Sequence, residues 1–402
     1  MTDTTEPVSA RRRRSRDQLL AVLAEHDAVS RADLSRLTGL SRSAVGACVA
    51  SLLADGLVSE GAALSGASGR GRKAHVVRLR SVSGVVAGID FGHSHITAAA
   101  ATATGEILAE CSEELDVDGR PTQALDAASS LVGRALAEAG HELDDVLGIA
   151  AGIPGPLDVR TQTVRAPTIL SDWVGLDPAD ELSRRLGQPV AVGNDADMGA
   201  RGERAYGAGQ GLDDFLYIKA SHGIGAGIVL GGRTYRGSTG IAGEIGHTQL
   251  PGATSWCRCG SRGCLETVVS LTQVRRQLIH VLKTGPASGP MAVPPLSELE
   301  PDSAAARVIT DAGRTVGRVL ADLVNCLNPA AIILGGELGT AGRPLVLGVR
   351  ESVDRYAQPA GAQAVSVRSG RLGSRAELFG ALATAVRQRS AVSAAADSGR
   401  LG

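Results

Sequence analysis

An α/β chain in two parts is what this sequence predicts: a small helical head with a β-ribbon, then a larger α/β body of two lobes. Three observations carry the prediction. Helix-period apolar residues and capping residues crowd the first sixty positions, short apolar strands begin near Ser83, and a strand, Gly-rich turn and strand follow from Phe215.

Composition sets the outer bounds. Of 402 residues 43% are apolar, only 2% are aromatic and 52 are Gly. That suffices for ordinary cores in two or three domains and excludes a fibrous or disordered chain. No apolar run reaches the roughly 18–20 residues of a membrane span. The start, "MTDTTEPVSARRRRSR", lacks the hydrophobic segment of a signal peptide. A cytoplasmic protein with reduced thiols is expected. Net charge is −1 but unevenly spread: residues 1–80 hold 13 Lys+Arg against 8 Asp+Glu, and the remainder 28 against 34. A basic head on an acidic body implies an anionic partner for the head alone.

Residues 1–15 read as a basic, disordered arm, with a DNA-binding domain over 16–80. In "RDQLLAVLAEH", Leu19, Leu20, Val22 and Leu23 form an apolar face. Ser30 is a good N-cap for "RADLSRLTG", which Gly39 closes; Ser41 caps "RSAVGACVASLLADG", which Gly56 closes. Two short helices across a tight turn describe a helix-turn-helix, whose second helix presents Ser41, Arg42 and Ser43 to base edges. Gly46 and Ala47 are small enough for close approach. Beyond it, "LVSEGAALSGASGRGRKAHVVRLR" reads as strand, loop, strand, a wing. Its tip carries Arg70, Arg72 and Lys73, suited to the negative potential of a narrow minor groove. Double-stranded DNA is the expected partner.

The body starts with the buried strand "GVVAGIDFG". A hairpin turning at Thr104-Gly105, the helix "QALDAASSLVGRALAEAG" and the strand "DVLGIAAGIPGPLD" follow. "PVAVGNDADMGARGE" is a strand stopping at Asn194-Asp195 before a helix. "FLYIKASHGIGAGIVLGG" opens the second lobe, and "NPAAIILGGELG" adds a strand with a Gly-rich turn. The boundaries expected are lobe 1 over 83–197, lobe 2 over 198–374, a closing helix over 375–389 and a disordered tail over 390–402.

"WCRCGSRGCLE" places Cys257, Cys259 and Cys264 within eight positions. Reduced thiols weaken a disulfide, and C-x-C beside a third Cys is a poor redox spacing. Three soft thiolates on a loop folded by two glycines suit zinc, but a closed tetrahedral site needs a fourth ligand. His93 and His95 in "GHSH" lack thiolates or a matching carboxylate nearby. Cys48, Cys111 and Cys326 have no such companions and read as core.

At these residues the chain resembles the ROK family of repressors, open reading frames and sugar kinases, from about Arg16 to Arg389. The resemblance implies an actin- and hexokinase-like, ribonuclease H-like fold of two α/β lobes closing on a sugar, with the C-terminal helix returning to the first lobe. It also implies the repressor branch, which carries a winged head. "CRCGSRGCLE" matches the family's C-x-C-G-x-x-G-C-x-E motif at every fixed position. By resemblance His247 of "GEIGH" is the fourth ligand of a structural zinc. Asn194, Asp195, Glu244, His247 and Glu266 are the implied sugar contacts, groups that suit a polyol's paired hydroxyls. One departure is "APTIL" at 166–170, where many relatives have Asn after the Pro.

Kinases of the family carry D-x-G-G-T-K at the first phosphate loop; this chain has Asp90-Phe91-Gly92-His93-Ser94-His95. Their second loop, G-T-G-x-G, here reads Ser221-His222-Gly223-Ile224-Gly225. A bulky His stands where close backbone approach is needed, and the Lys and Thr are gone. A sugar-responsive repressor of carbohydrate genes, a homodimer or homotetramer without kinase activity, is the expectation. An ATP-dependent sugar kinase bearing a DNA-binding domain, with Asp195 as base, is the alternative.

Overall fold

The computed structural model describes residues 15–16, 18–20, 22–23, 29–54, 58–62, 75–79, 84–102, 104–165, 170–282, 293–300 and 302–398. The chain divides into two compact units, Met1–Gly84 with Ser390–Gly402, and Val85–Arg389.

In the first unit, residues 15–16, 18–20 and 22–23 are helical. Strand β1 (Val29–Ser30), helices α1 (Arg31–Thr38) and α2 (Arg42–Ala54), and strands β2 (Val58–Ala62) and β3 (His75–Leu79) follow. Ser30 caps α1, its side chain accepting from the Asp33 amide at 3.1 Å, and Gly39 ends the helix in the left-handed region at φ 69°. Ser41 Oγ accepts from the Ala44 amide at 3.2 Å, which starts α2. Leu19 and Leu23, one turn apart, are buried with Leu34, Val45, Val49, Leu52, Val58 and Val77. Leu20 and Val22 are only partly buried, because a 3.6-residue repeat turns them off the centre of the face. Strands β2 and β3 pair antiparallel, the ribbon expected of a wing, and β1 adds to the free edge of β3.

The second unit contains two sheets of identical topology. Strands β4 (Val85–Phe91), β5 (His95–Thr102) and β6 (Ile107–Glu114) form an antiparallel meander that turns at Gly105, φ 89°. After α3 (Pro121–Glu138), β7 (Val146–Ile153) adds in parallel to β4. After α4 (Pro178–Leu186), β8 (Val190–Asn194) adds to β7. The order is β6-β5-β4-β7-β8. Helix α5 (Asp195–Tyr206) leads to β9 (Phe215–Ala220), β10 (Ile224–Leu230) and β11 (Arg233–Tyr235). Helices α6 (Leu271–Leu282) and α7 (Ala304–Leu327) precede β12 (Ala331–Gly335), and α8 (Arg343–Tyr356) precedes β13 (Ser366–Ser369). Their order, β11-β10-β9-β12-β13, repeats the first sheet strand for strand. Parallel central strands covered on their faces read as apolar runs; β4 and β12 are buried at every residue.

Helix α9 (Ala376–Ser398) returns to the first sheet, where Ala381, Leu382 and Ala385 pack on Val86, Ala101 and Ala150. It crosses α5 so closely that a Cβ on Gly202 would stand 2.2 Å from the Ala376 carbonyl oxygen, and one on Gly380 1.7 Å from that of Met198. Only glycine fits this crossing. Two expectations need correction. The tail read as disordered from 390 is helical to Ser398, since the run "SAVSAAADS" is rich in the best helix former. Cys326 is exposed, because it lies on the outer face of α7; Cys111 is buried and Cys48 partly so. Among the described residues no helix is long and apolar enough to cross a membrane.

Candidate functional site

A cleft of about 840 Å³ collects the ends of β8 and β9, the start of α5 and the loops that follow β4, β7 and β11. Asn194, Asp195, Glu244, His247 and Glu266 all line it. Each is held differently. Asn194 N-caps α5, its Oδ1 accepting from the amides of Ala196 and Asp197 at 2.9 and 3.3 Å. Its Nδ2 donates to the Gly155 carbonyl at 3.2 Å, which leaves one N–H for a ligand. Asp195 accepts from its neighbour's amide at 2.7 Å through Oδ1 and from Lys219 Nζ at 2.7 Å through Oδ2. Glu244 Oε2 lies 3.7 Å from His247 Nε2. Burial, aided by Asp195 and Glu266, pushes the Glu244 carboxyl up to about 7.

The sulfur atoms of Cys257, Cys259 and Cys264 and a ring nitrogen of His247 lie within 4.8 Å of one another. His247 Nδ1 is 3.5 Å from Cys257 Sγ, and Cys259 Sγ is 3.6 Å from Cys264 Sγ. Four ligands at about 2.0–2.3 Å from a tetrahedral ion stand about 3.3–3.8 Å apart, so this set is positioned to hold a metal ion. The loop is tied by the Trp256–Arg262 and Gln249–Cys264 bridges, and Gly260 and Gly263 take φ of 88° and 72°. Glu266, in the one-turn helix Leu265–Val268, meets Cys257 Sγ at 3.0 Å, which joins the cysteine loop to the cleft wall.

Three imidazoles also line the cleft. His93 and His95, expected to lack a matching carboxylate, each face one brought in by the fold: His93 Nδ1 is held by both Asp118 oxygens at 2.8 and 2.9 Å, and its ring meets His222 edge-on with centroids 5.8 Å apart. His95 lies 3.9 Å from Asp90, which holds its pKa above the ordinary histidine value. Burial lowers that of His222.

Lys219 escaped the sequence reading. Its amine is nearly enclosed between Asp195, 2.7 Å away, and Glu377, 4.0 Å away. Burial works against its charge, but Asp195, Glu377 and Asp90 together outweigh it and raise its pKa. Glu377 accepts from the Tyr217 hydroxyl at 2.9 Å, and burial pushes its carboxyl up to about 7 against the pull of Lys219. A lone lysine inside the apolar strand "FLYIKA" was the available signal.

On the first unit, Ser41, Arg42 and Ser43 are exposed at the start of α2. Ser41 and Ser43 hydroxyls are 3.0 Å apart. Arg70, Arg72 and Lys73 lie outside the described residues, as do 166–169 of "APTIL".

A duplicated five-stranded α/β fold with a polar cleft defines a class of two-lobed, actin-like ligand-binding proteins. Within that class, the ROK family model matches residues 86–388, and the chain belongs to the ROK family. The chain is similar to a putative xylose repressor of Caldicellulosiruptor sp. (strain Rt8B.4), 29% identical over 92% of this chain and 94% of the relative. Among solved structures it resembles a ROK family transcriptional regulator, a homolog of the E. coli MLC protein, with TM-score 0.74 and 25% identity over 94% of this chain and 96% of that one. It also resembles a ROK family glucokinase from Streptomyces griseus in complex with glucose and AMPPNP, with TM-score 0.65 and 30% identity over 76% of this chain and all of that one.

Proposed function

We propose that this chain is a sugar-responsive, DNA-binding transcriptional regulator, a repressor of carbohydrate uptake or metabolism genes. One observation carries the reading. A head whose recognition-helix residues Ser41, Arg42 and Ser43 are exposed shares a chain with a cleft lined by five polyol-suited groups. The putative xylose repressor and the solved regulator extend over 92% and 94% of this chain, too much to omit the head, whereas the glucokinase extends over 76%.

In this reading the heads of a homodimer, or of a tetramer built from two, bind a pseudo-palindromic operator in the cytoplasm, each with α2 in the major groove. Arg70, Arg72 and Lys73 at the wing tip follow the minor groove. Asp195, Glu244 and Glu266 accept from sugar hydroxyls, and Asn194 and His247 donate. His247, Cys257, Cys259 and Cys264 would hold a zinc ion, which would supply structural rigidity to this wall of the cleft. His247 Nδ1 faces Cys257 Sγ, which leaves Nε2, beside Glu244, as the nitrogen toward the ligand. Fluorescence anisotropy of the full chain on its own upstream DNA, with a panel of sugars and sugar phosphates, tests the reading. At least one should change operator affinity by roughly 5–150-fold, the usual range of coupling between sites. A panel without effect would remove the sugar response.

The kinase alternative rests on Asp195 in the cleft. Against it stand the imidazoles of His93 and His222 at both phosphate loops, and the ion pair that occupies Asp195 Oδ2. Sugar-dependent ADP release that Asp195→Asn abolishes would establish it.

A further inference from the structure

A second cavity of about 770 Å³ lies at the far end of α5, away from the residues that start that helix in the cleft. Arg201 and Arg204 of α5, Arg233 and Thr234 of β11, and Thr384 and Arg387 of α9 line it. No carboxylate does so among the described residues. Four guanidiniums around one concavity repel each other, and an arrangement of this kind persists most easily when an anion joins it.

The hydrogen bonds point the same way. Arg201 spends Nε on Thr234 Oγ1 at 3.3 Å and Nη1 on Thr384 Oγ1 at 3.0 Å, both neutral hydroxyls. Among the described residues Arg201, Arg233 and Arg387 make no ion pair. Arg204 reaches Asp213 only at 3.5 Å, and that carboxylate's side chain is 74% exposed. Arg204 Nε is buried with no hydrogen-bond partner at all. Burial brings Arg201 down to about 10, with repulsion from Arg236 and Arg387 and an opposing pull from Asp197. Asp197 is itself engaged by Arg236 at 2.8 Å.

We propose that this pocket binds a small phosphate-bearing anion, inorganic phosphate or a phosphate monoester, through Arg201, Arg204, Arg233 and Arg387. Planar guanidiniums meet phosphate oxygens in pairs, and the two threonine hydroxyls add neutral partners. The concave shape and the recessed Arg201 favour a small ligand over duplex DNA, whose phosphates lie on a convex surface.

Isothermal titration of the full chain with inorganic phosphate and with glycerol 3-phosphate, in phosphate-free buffer, tests this. Arg233→Ala and Arg387→Ala remove exposed side chains and should leave the melting temperature unchanged. Each should weaken the binding of either probe by roughly tenfold, the worth of one charge-assisted hydrogen bond. The stronger of the two probes identifies the source as free phosphate or ester. Absence of saturable binding by both probes below roughly 10 mM, or binding indifferent to both substitutions, would overturn the proposal. So would substitutions that lower affinity for a random-sequence duplex while phosphate binding stands, which would make the face a nucleic-acid contact.

Discussion

Replacing Lys219 with methionine keeps the stem of the side chain and removes its charge. Asp195 then loses the partner 2.7 Å from Oδ2 and keeps only its neighbour's amide on Oδ1. Glu377 loses the cation 4.0 Å away, and Asp90, already buried with one oxygen unpartnered, loses the attraction of that charge. Breaking a buried pair from one side costs about 3–5 kcal/mol. Side-chain exposures of 16% and 14% for Lys219 and Asp195 let some water in, which argues for the low end. For a body spanning Val85–Arg389, with an unfolding entropy of about 2.1 cal/mol/K per residue, about 3 kcal/mol corresponds to a fall of roughly 5 °C in melting temperature. Scanning calorimetry of the full chain reads it, with the transition of the body followed separately from that of the head. Asp195→Asn in the Lys219→Met background should recover at least about 1 kcal/mol, because it removes the stranded charge. A body transition within about 1 °C of the parent in Lys219→Met would refute the reasoning, since the pair could then hold nothing together.

Glu377 supplies a pH dependence. Its carboxyl sits near 7 in the fold, above the ordinary 4.5, so between those values the folded state holds a proton that the unfolded chain has released. Stability is therefore fullest below about 4.5 and falls as pH rises through about 7, by roughly 3 kcal/mol; Glu377→Gln should flatten that part of a melting-temperature profile. Stripping the metal with a chelator, or Cys264→Ser, should abolish the sugar response while operator binding by the head persists, as anisotropy and metal analysis would show. A normal sugar response in metal-free protein would contradict the coupling of the cysteine loop to Glu266. Gly202→Ala forces a methyl against the Ala376 carbonyl, 2.2 Å from its ideal position, and should lower body stability by about 1–3 kcal/mol in calorimetry. Arg42→Ala should weaken operator binding and, if Arg42 meets phosphate, reduce the slope of log affinity against log salt by about 0.9.

Much of the head was legible because its signals are local. Ser30, Gly39 and Ser41 act on backbone groups within three residues, so a cap can be read without knowing the fold. The cysteine loop was legible for the same reason: two thiolates separated by one residue, a third five positions on, and glycines where φ must be positive. His247 came only by resemblance, since ten residues of loop do not say where a side chain ends. The five cleft residues were also named by resemblance; that Asn194 spends its Oδ1 capping α5 and one N–H on the Gly155 carbonyl was not visible until its partners were placed.

The sequence by itself determined the periodicities, the caps, the cysteine spacing and the charge imbalance between head and body, all properties of neighbours along the chain. Tertiary structure alone decided what long separations bring together. Lys219 meets an aspartate 24 positions earlier and Tyr217 a glutamate 160 positions later, because β9 sits centrally in its sheet and α9 returns to the fold. The arginines of the second cavity come from α5, β11 and α9, and no window of sequence contains them. Charges in an extended chain are weakened by the dielectric of water and screened by salt beyond about 10 Å. Packing removes that water, and only then does it matter which of them face one another.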